Sequence, residues 1–405
     1  MAKVIVGLSG GVDSSVAALL LKQQQHDVTG MFMVNWHDRT GTLTSNCSWE
    51  DDWNLAQMVA KKIGIPVIKV DLSEEYRHRV VDYMFAEYEK GRTPNPDVLC
   101  NREIKFDSFL KVALEHGAEY VATGHYCRKD EITDKDGRVI HRLLAGKDPN
   151  KDQSYFLCQL TQEQLSKALF PIGDIEKPEV RRIAAEAGLA TADRKDSQGI
   201  CFVGKVDLPT FLQQQLRAKK GRIMLIDPDS EHYKHYDSSR TPDISSIASM
   251  QTKELKKISA PFPYDPEEGV KAGTHDGAHF FTVGQRKGLN VGGMKEPLFV
   301  IGTHIERNVV FAGMGKSHPG LYRRGLFIRK DEIHYVRPDY ALKPGESMNV
   351  DARIRYRQPL QKATLVCRDE GLFMVFEQPQ RAVTAGQFAS WYKNDEVLGS
   401  GVIDK

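Results

Sequence analysis

Residues 3–21 read KVIVGLSGGVDSSVAALLL, and their reading decides the fold. An apolar run comes first, then two adjacent glycines, Gly10 and Gly11, then a stretch of helix formers. A strand feeding a glycine turn and a helix start gathers unpaired backbone N–H groups and the positive end of a helix dipole in one place. That combination is an anion site, and phosphate is its usual occupant. Glycine lets backbone approach a ligand where a side chain would obstruct it. Ser9, Ser14 and Ser15 add hydroxyl donors, and Asp13 is a candidate partner for a metal ion or for the turn itself. The loop lacks the Lys of a Walker A loop, and its glycines do not follow G-x-G-x-x-G.

Outward from this turn, strand-like and helix-like segments alternate over the first two hundred residues. Residues 28–34 and 66–70 read as strands, 54–63 as a helix stopped by Gly64 and Pro66, 103–116 as a helix, 120–123 as a strand and 178–188 as a helix. This rhythm predicts a parallel sheet with helices on both faces, an α/β fold whose ligands sit at the carboxyl ends of the strands. The glycine turn, the region after Met33 and the turn at Gly124 all fall on that edge. Residues 208–220 read as one helix, and 223–270, rich in Pro, Ser and charge, as a long insertion. From about residue 297 short alternating segments broken by Gly and Pro predict a small antiparallel barrel or sandwich. The expected units are 1–205, 206–296 and 297–405.

Composition bounds the function. The chain has 405 residues, 27% of them charged, and a formal net charge of only +2, so a nucleic-acid partner has to be argued from local patches. No run approaches the ~18 apolar residues of a membrane helix. The apolar start runs straight into the glycine turn and reads as a strand, so no membrane partner and a cytoplasmic location are expected. Six cysteines include no C-x-x-C pair, which argues against a structural zinc or iron–sulfur site on that spacing.

Two loops carry reactive-cysteine candidates. In RTPNPDVLCNREIKF, residues 92–106, Pro94 and Pro96 predict an extended, non-helical backbone, with Cys100 near the start of the next helix. A helix start beside Arg102 and Lys105 favours thiolate, and Asp97 is placed for acid–base work; a simple packed cysteine is the competing reading. In DSQGICFVG, residues 196–204, glycines leave Cys201 accessible, with the same alternative. Cys47, Cys127, Cys158 and Cys367 read as core or incidental. Residues 321–368 hold eleven Lys or Arg against five Asp or Glu. There RIRYRQ, residues 353–358, reads as a strand with three arginines on one face, either an RNA contact or a solvated basic strand. His232, His235, His275 and His279 read as surface residues and not as a metal site.

The ordered series SGGVDSS, NPDVLCNREIKF, KDQSYFL (151–157), DSQGICFVG, GQRKGL (284–289) and RIRYRQ resembles the bacterial tRNA-specific 2-thiouridylase family, within the ATP pyrophosphatase (PP-loop) superfamily. The resemblance implies an ATP pyrophosphatase domain followed by a central domain and a C-terminal β-barrel domain. It implies ATP, with Mg²⁺, bound by Gly7, Leu8, Ser9, Gly10, Gly11, Val12, Asp13 and Ser14, with Met33 and Gly124 touching the nucleotide. Cys100 would be the nucleophile with Asp97 beside it, and Cys201 would carry sulfur as a persulfide. Asn95, Pro96 and Asp97 would meet the target base, and His125, Lys151, Asp152, Gln153, Arg355, Tyr356 and Gln358 the tRNA. The implied partners are tRNAs for Glu, Gln and Lys and a persulfide donor protein or cysteine desulfurase. Another PP-loop synthetase, or a non-catalytic RNA-binding protein, accounts for fewer of these motifs.

Overall fold

A computed structural model of the chain describes residues 1–37, 49–196, 208–213, 215–234 and 244–404. Strand β1 (Lys3–Gly7) leads through the glycine turn into helix α1 (Val12–Gln23). β2 (Asp27–Val34), helix α2 (Trp49–Ile63), β3 (Val67–Asp71) and β4 (Tyr120–Ala122) follow. α2 stops where expected, at Gly64 with φ +75°, as the amides of Gly64 and Ile65 bond back to the Ala60 carbonyl. The short β7 (Ala168–Leu169) completes a five-stranded sheet in the order β3-β2-β1-β4-β7, parallel throughout.

Both faces of this sheet are covered. Val4, Val6, Phe32 and Val34 pack with Ala18 and Leu21 of α1 and Ala56 and Ala60 of α2. Ile5, Met31 and Met33 lie on the opposite face with Val98, Cys100, Ile104 and Phe109. Each large aliphatic side chain so buried contributes about 1.5–3 kcal/mol.

The hairpin of β5 (Cys127–Thr133) and β6 (Val139–Ala145) leaves the parallel sheet and joins the C-terminal one. Residues 221–275 correct the sequence reading. They are not simply an insertion: β8 (Gly221–Leu225) and β9 (Val270–His275) are two of the four strands of the central sheet, ordered β10-β11-β8-β9 with β10 (Leu298–His304) and β11 (Val309–Met314). β8 lies parallel to β11, which separates its neighbours widely in sequence and hides it from local pattern. The helix Thr252–Ser259 covers the barrel, with Leu255 packed on Val366, Phe373 and Val375. Among the described residues of 208–220, the helix runs over Leu208–Leu212.

The C-terminal strands are β12 (Tyr322–Arg329), β13 (Ile333–Tyr335), β14 (Ser347–Arg353), β15 (Gln361–Arg368), β16 (Gly371–Arg381), β17 (Phe388–Lys393) and β18 (Glu396–Val402). They run β12-β16-β15-β14-β17-β18, and β13 pairs with β18, which turns the sheet back on itself as a barrel. Trp391, Phe376, Leu365 and Leu398 fill its interior. Beyond β18 the order continues into β6 and β5, so one sheet spans the first and last thirds of the chain.

A buried charge cluster holds that junction. Glu396 contacts Arg337 and lies 3.0 Å from Arg142 of β6, while Arg337 also pairs with Asp339 at 2.6 Å. Removing one partner of a buried pair strands the others. Glu396→Ala is therefore expected to cost about 3 kcal/mol, read as a lower midpoint in urea unfolding of the full chain.

Candidate active site

The glycine turn has the build expected of it. Gly10 has φ +71°, and Gly11 caps α1 in an extended conformation with no side chain bonded to the helix start. The first amides of α1 are left without intrahelical acceptors by helix geometry. Among the described residues, a Cβ on Gly11 would meet only the Ser9 hydroxyl, at 3.4 Å. Ser14 accepts from the Ser9 amide at 3.2 Å and donates to the Gly11 carbonyl at 3.2 Å, which fixes the curl. These features fit a polyphosphate. Gly124 abuts the turn from β4: a Cβ there would lie 2.6 Å from Asp13 C and Ser14 N. Met33 is buried, its Cε 3.7 Å from where a Gly7 Cβ would stand.

A collar of charges surrounds the turn, and most of it was not picked out from sequence. Lys177 Nζ lies 2.7 and 2.9 Å from the two Asp13 carboxylate oxygens, and Tyr126 donates to Asp13 at 2.7 Å. Asp13 is thus committed to protein partners and not offered as a free metal ligand. Among the described residues no group of three or more His, Cys, Asp or Glu stands ready to hold a metal. Lys177 also meets Asp196 at 2.7 Å, Lys151 meets Asp196 at 2.6 Å, and Arg194 donates to the Gly10 carbonyl at 2.7 Å. Burial alone would raise the Asp196 carboxyl, but the hydrogen bonds from Lys151 and Lys177 outweigh it and hold it at about 2. Sequence spacing carries no signal for these partners, since Asp13 and Lys177 are 164 residues apart.

The helix bearing Cys100 begins earlier than the prolines suggested. It runs as Pro96–Leu99 in α geometry, Cys100–Ser108 in π geometry and Phe109–Glu115 in α geometry. Asn95 is its N-cap, its side chain accepting from the Val98 amide at 3.2 Å, and Pro96 sits in the first turn, where its missing N–H costs nothing. π-helical stretches are rare and concentrate at functional sites. Asp97 and Cys100 are three residues apart and share a face. Cys100 is 0% exposed and packed in the core shared with Met33, the burial that the competing packed-cysteine reading describes. Phe109, near the far end of the same helical run, lies 3.6 Å from the Gly7 Cβ position. Helix and phosphate loop therefore meet at one edge of the sheet.

The barrel grips the loop before this helix. Gln387 donates to the carbonyls of Thr93 and Pro94 at 2.8 and 3.1 Å and accepts from Asn95 at 3.4 Å. Gly386, φ +90°, allows the approach: a Cβ there would lie 2.8 Å from the Thr93 amide nitrogen. Thr93 also meets Thr282 of the central unit at 2.9 Å.

The residues assigned to tRNA by resemblance fall into two groups. Lys151, Asp152, Gln153 and Tyr356 come together: Tyr356 donates to the Lys151 carbonyl at 3.3 Å, and its ring lies tilted against Phe156 with centroids 4.3 Å apart. Asp152 is buried, bonding the amides of Gly146 and Ser154 and pairing with Arg353 at 3.0 Å. Gln153 is bonded to the Tyr126 backbone. Gln358 donates to Gln380 at 2.7 Å. His125 is apart from these, buried against Phe106 and Phe170 and bonded to Thr123 at 2.7 Å. Its burial, with Lys105 nearby, pushes the imidazole well below its ordinary range, so it stays neutral. RIRYRQ is not one strand: β14 ends at Arg353, and residues 354–357 turn. The one-face argument fails there, and Arg355 bonds the carbonyls of Arg381 and Ala382. His232 also differs from expectation, pairing with Glu268 at 2.7 Å. Cys127, Cys158 and Cys367 are buried, as expected of them. Cys201, Cys47 and His235 lie outside the described residues.

A parallel α/β unit with this glycine turn, followed by a barrel, defines the class: an α/β protein with a backbone-built anion site and an appended β domain. Comparison narrows it. Residues 2–205 match the model of the tRNA methyl transferase HUP domain, 263–314 its PRC-barrel domain and 327–403 the aminomethyltransferase beta-barrel domain. Proteins named tRNA-specific 2-thiouridylase MnmA from Christiangramia forsetii and Flavobacterium johnsoniae are 59% and 58% identical, each over 100% of both chains. The protein of that name from Karelsulcia muelleri is 45% identical over 99% of this chain and 98% of its own. The chain belongs to the tRNA-specific 2-thiouridylase family.

Two outcomes follow from this geometry. Asp196, held below its ordinary pKa of 3.8, stabilises the fold above that pH, and the contribution is lost as pH falls through about 2. Asp196→Asn should thus cost about 1 kcal/mol at pH 7, a discounted figure because the carboxylate is partly exposed, with the difference shrinking below pH 4 in urea titrations. Gln387→Ala removes donors to two carbonyls and should lower hydrogen-exchange protection over residues 93–101 about tenfold, by mass spectrometry.

Proposed function

We propose that the protein is an ATP-dependent tRNA sulfurtransferase that replaces the 2-oxygen of the wobble uridine (position 34) of tRNAs for Glu, Gln and Lys with sulfur, forming AMP and pyrophosphate. The observation that carries it is the meeting of an uncapped phosphate turn and the Cys100 helix at one sheet edge, in a chain of this family. A uracil carbonyl oxygen is a poor leaving group and must be activated. Its O2 attacks the α-phosphorus of ATP, pyrophosphate leaves, and the N3 proton is lost. The turn from Gly7 to Ser14 holds the polyphosphate through backbone amides and the α1 dipole. Mg²⁺ offsets phosphate charge when the nucleotide is bound.

Sulfur then arrives from a Cys201 persulfide loaded by a donor protein. In one route its terminal sulfur attacks C2 and AMP leaves. Cys100 thiolate then attacks the Cys201 sulfur, freeing the thiocarbonyl and forming a Cys100–Cys201 disulfide. In the other, Cys100 first releases hydrosulfide from the persulfide. A reductant reopens the disulfide in both. The pairing requires Cα atoms within about 4.4–6.8 Å. The burial of Cys100 means the helix start or its cover must shift for reaction. Asp97, one turn earlier, serves acid–base chemistry, and the target base is turned out of its stack to reach it. Asn95 and Pro96 sit beside it at the helix start, with Lys151, Asp152, Gln153, Arg355, Tyr356 and Gln358 as the RNA-facing region and His125 behind it.

The partition into units 1–205, 206–296 and 297–405 and a cytoplasmic location belong to the same proposal. No helix among the described residues is long and apolar enough to cross a membrane.

The test supplies ATP, Mg²⁺, unmodified tRNA and a persulfide donor and looks for thiolated wobble uridine. Cys100→Ser and Cys201→Ser should each reduce turnover to background, at least a hundredfold, and Cys127→Ser should leave it unchanged. Absence of product from the unaltered protein, with tRNA and donor verified, would sink the reading.

A further inference from the structure

Two adjacent residues after β2, Asn35 buried and Trp36 partly buried, hold buried polar atoms with no hydrogen-bond partner among the described residues. Asn35 is 2% exposed, and among the described residues neither its Nδ2 nor its Oδ1 has a hydrogen-bond partner. The indole Nε1 of Trp36 is likewise buried and unpartnered. A buried carboxamide with both ends unsatisfied is destabilising, and such exceptions in a folded chain call for a missing partner.

Position says what kind of partner. β2 ends at Val34, so Asn35 stands at the carboxyl edge of a parallel sheet, where ligands of such folds bind. β1, which feeds the phosphate turn, is the immediate neighbour of β2. Along β2, Met31 and Met33 share a face and a core cluster with Cys100, whereas Phe32 and Val34 lie on the α1 and α2 side. The strand alternation ends with β2: Trp36, which it would carry to the α1 and α2 side, packs instead against the Cys100 cluster, its ring 6.4 Å from Tyr76, and Asn35 is its chain neighbour.

We propose that the Asn35 carboxamide binds the uracil of the RNA substrate through its N3–H and O4 edge. In the substrate complex, before adenylation removes the N3 proton, Oδ1 accepts from N3–H and Nδ2 donates to O4, which leaves C2 and O2, on the other flank of N3, uncontacted by this side chain. The packing of Trp36, next to Asn35, against the Cys100 cluster favours the reacting base over the adenine of ATP as occupant. The identity of the base rests on the function proposed above; the unsatisfied carboxamide does not.

Asn35→Leu, close in volume and apolar, separates this role from a structural one. A carboxamide that serves the fold would destabilise the protein when lost. One kept for a ligand leaves the protein as stable or more so when replaced. The expected results, on the full chain, are a melting temperature equal to or above that of the unaltered protein and an affinity for a uridine-34 anticodon stem-loop RNA weakened about tenfold. Thiolation kcat/KM for tRNA should fall about thirtyfold or more, with affinity for a non-hydrolysable ATP analogue unchanged within about twofold. A lowered melting temperature, unaltered RNA binding, or a loss of ATP-analogue affinity (the adenine as occupant) each overturns the proposal. If the unaltered protein makes no thiolated product while Asn35→Leu still weakens RNA binding, the base contact stands and the reaction assignment falls.

Discussion

The approach of Gly124 to the first turn of α1 is the constraint on which the site depends. β4 ends against the backbone of Asp13 and Ser14, with no room for a Cβ between them. That contact sets how far the phosphate turn stands above the sheet. It leaves the amides of the turn facing outward, because the space on the inner side is already filled. Lys177 and Tyr126 then fix Asp13 from the flank, and Arg194 fixes Gly10. An anion site made of backbone has no flexible side chain to adjust, so its precision comes from packing behind it.

The three sheets are mechanically linked around that site. The β5–β6 hairpin extends the barrel sheet, and Gln387 of the barrel holds the loop that starts the Cys100 helix. The central unit touches the same loop through Thr282. A substrate docking across the barrel would act on the Cys100 helix through short polar contacts and without a long relay. The π geometry of Cys100–Ser108 places an irregularity in the element that carries the buried thiol.

Charge is used locally and not globally. A net charge of +2 gives little attraction for a polyanion. Around the phosphate turn, however, Lys151, Lys177 and Arg194 converge, partly neutralised by Asp13, Asp196 and Asp52. Such paired cations are held in place before a ligand arrives, which limits reorganisation when one binds.

The sequence by itself determined the parallel α/β unit, the phosphate turn and the β character of the last third, because each rests on interactions between residues close in the chain. Hydrophobic period, glycine at positive φ and helix starts are local properties. It also marked Cys100 and Asp97, one helical turn apart, though it misjudged where their helix begins: Pro96 breaks a helix interior but suits a first turn, and only the capped structure tells the two apart. The rest was decided by tertiary structure. β8 found its place beside β11, where paired residues such as Arg222 and Val309 are 87 apart in the chain, a pairing that leaves no period in a polar stretch. The Asp13–Lys177–Asp196 collar, the grip of Gln387 and the orphaned carboxamide of Asn35 exist only once distant segments are packed together. Burial and the partners it grants or withholds are properties of the folded chain, so a residue's local sequence cannot carry them.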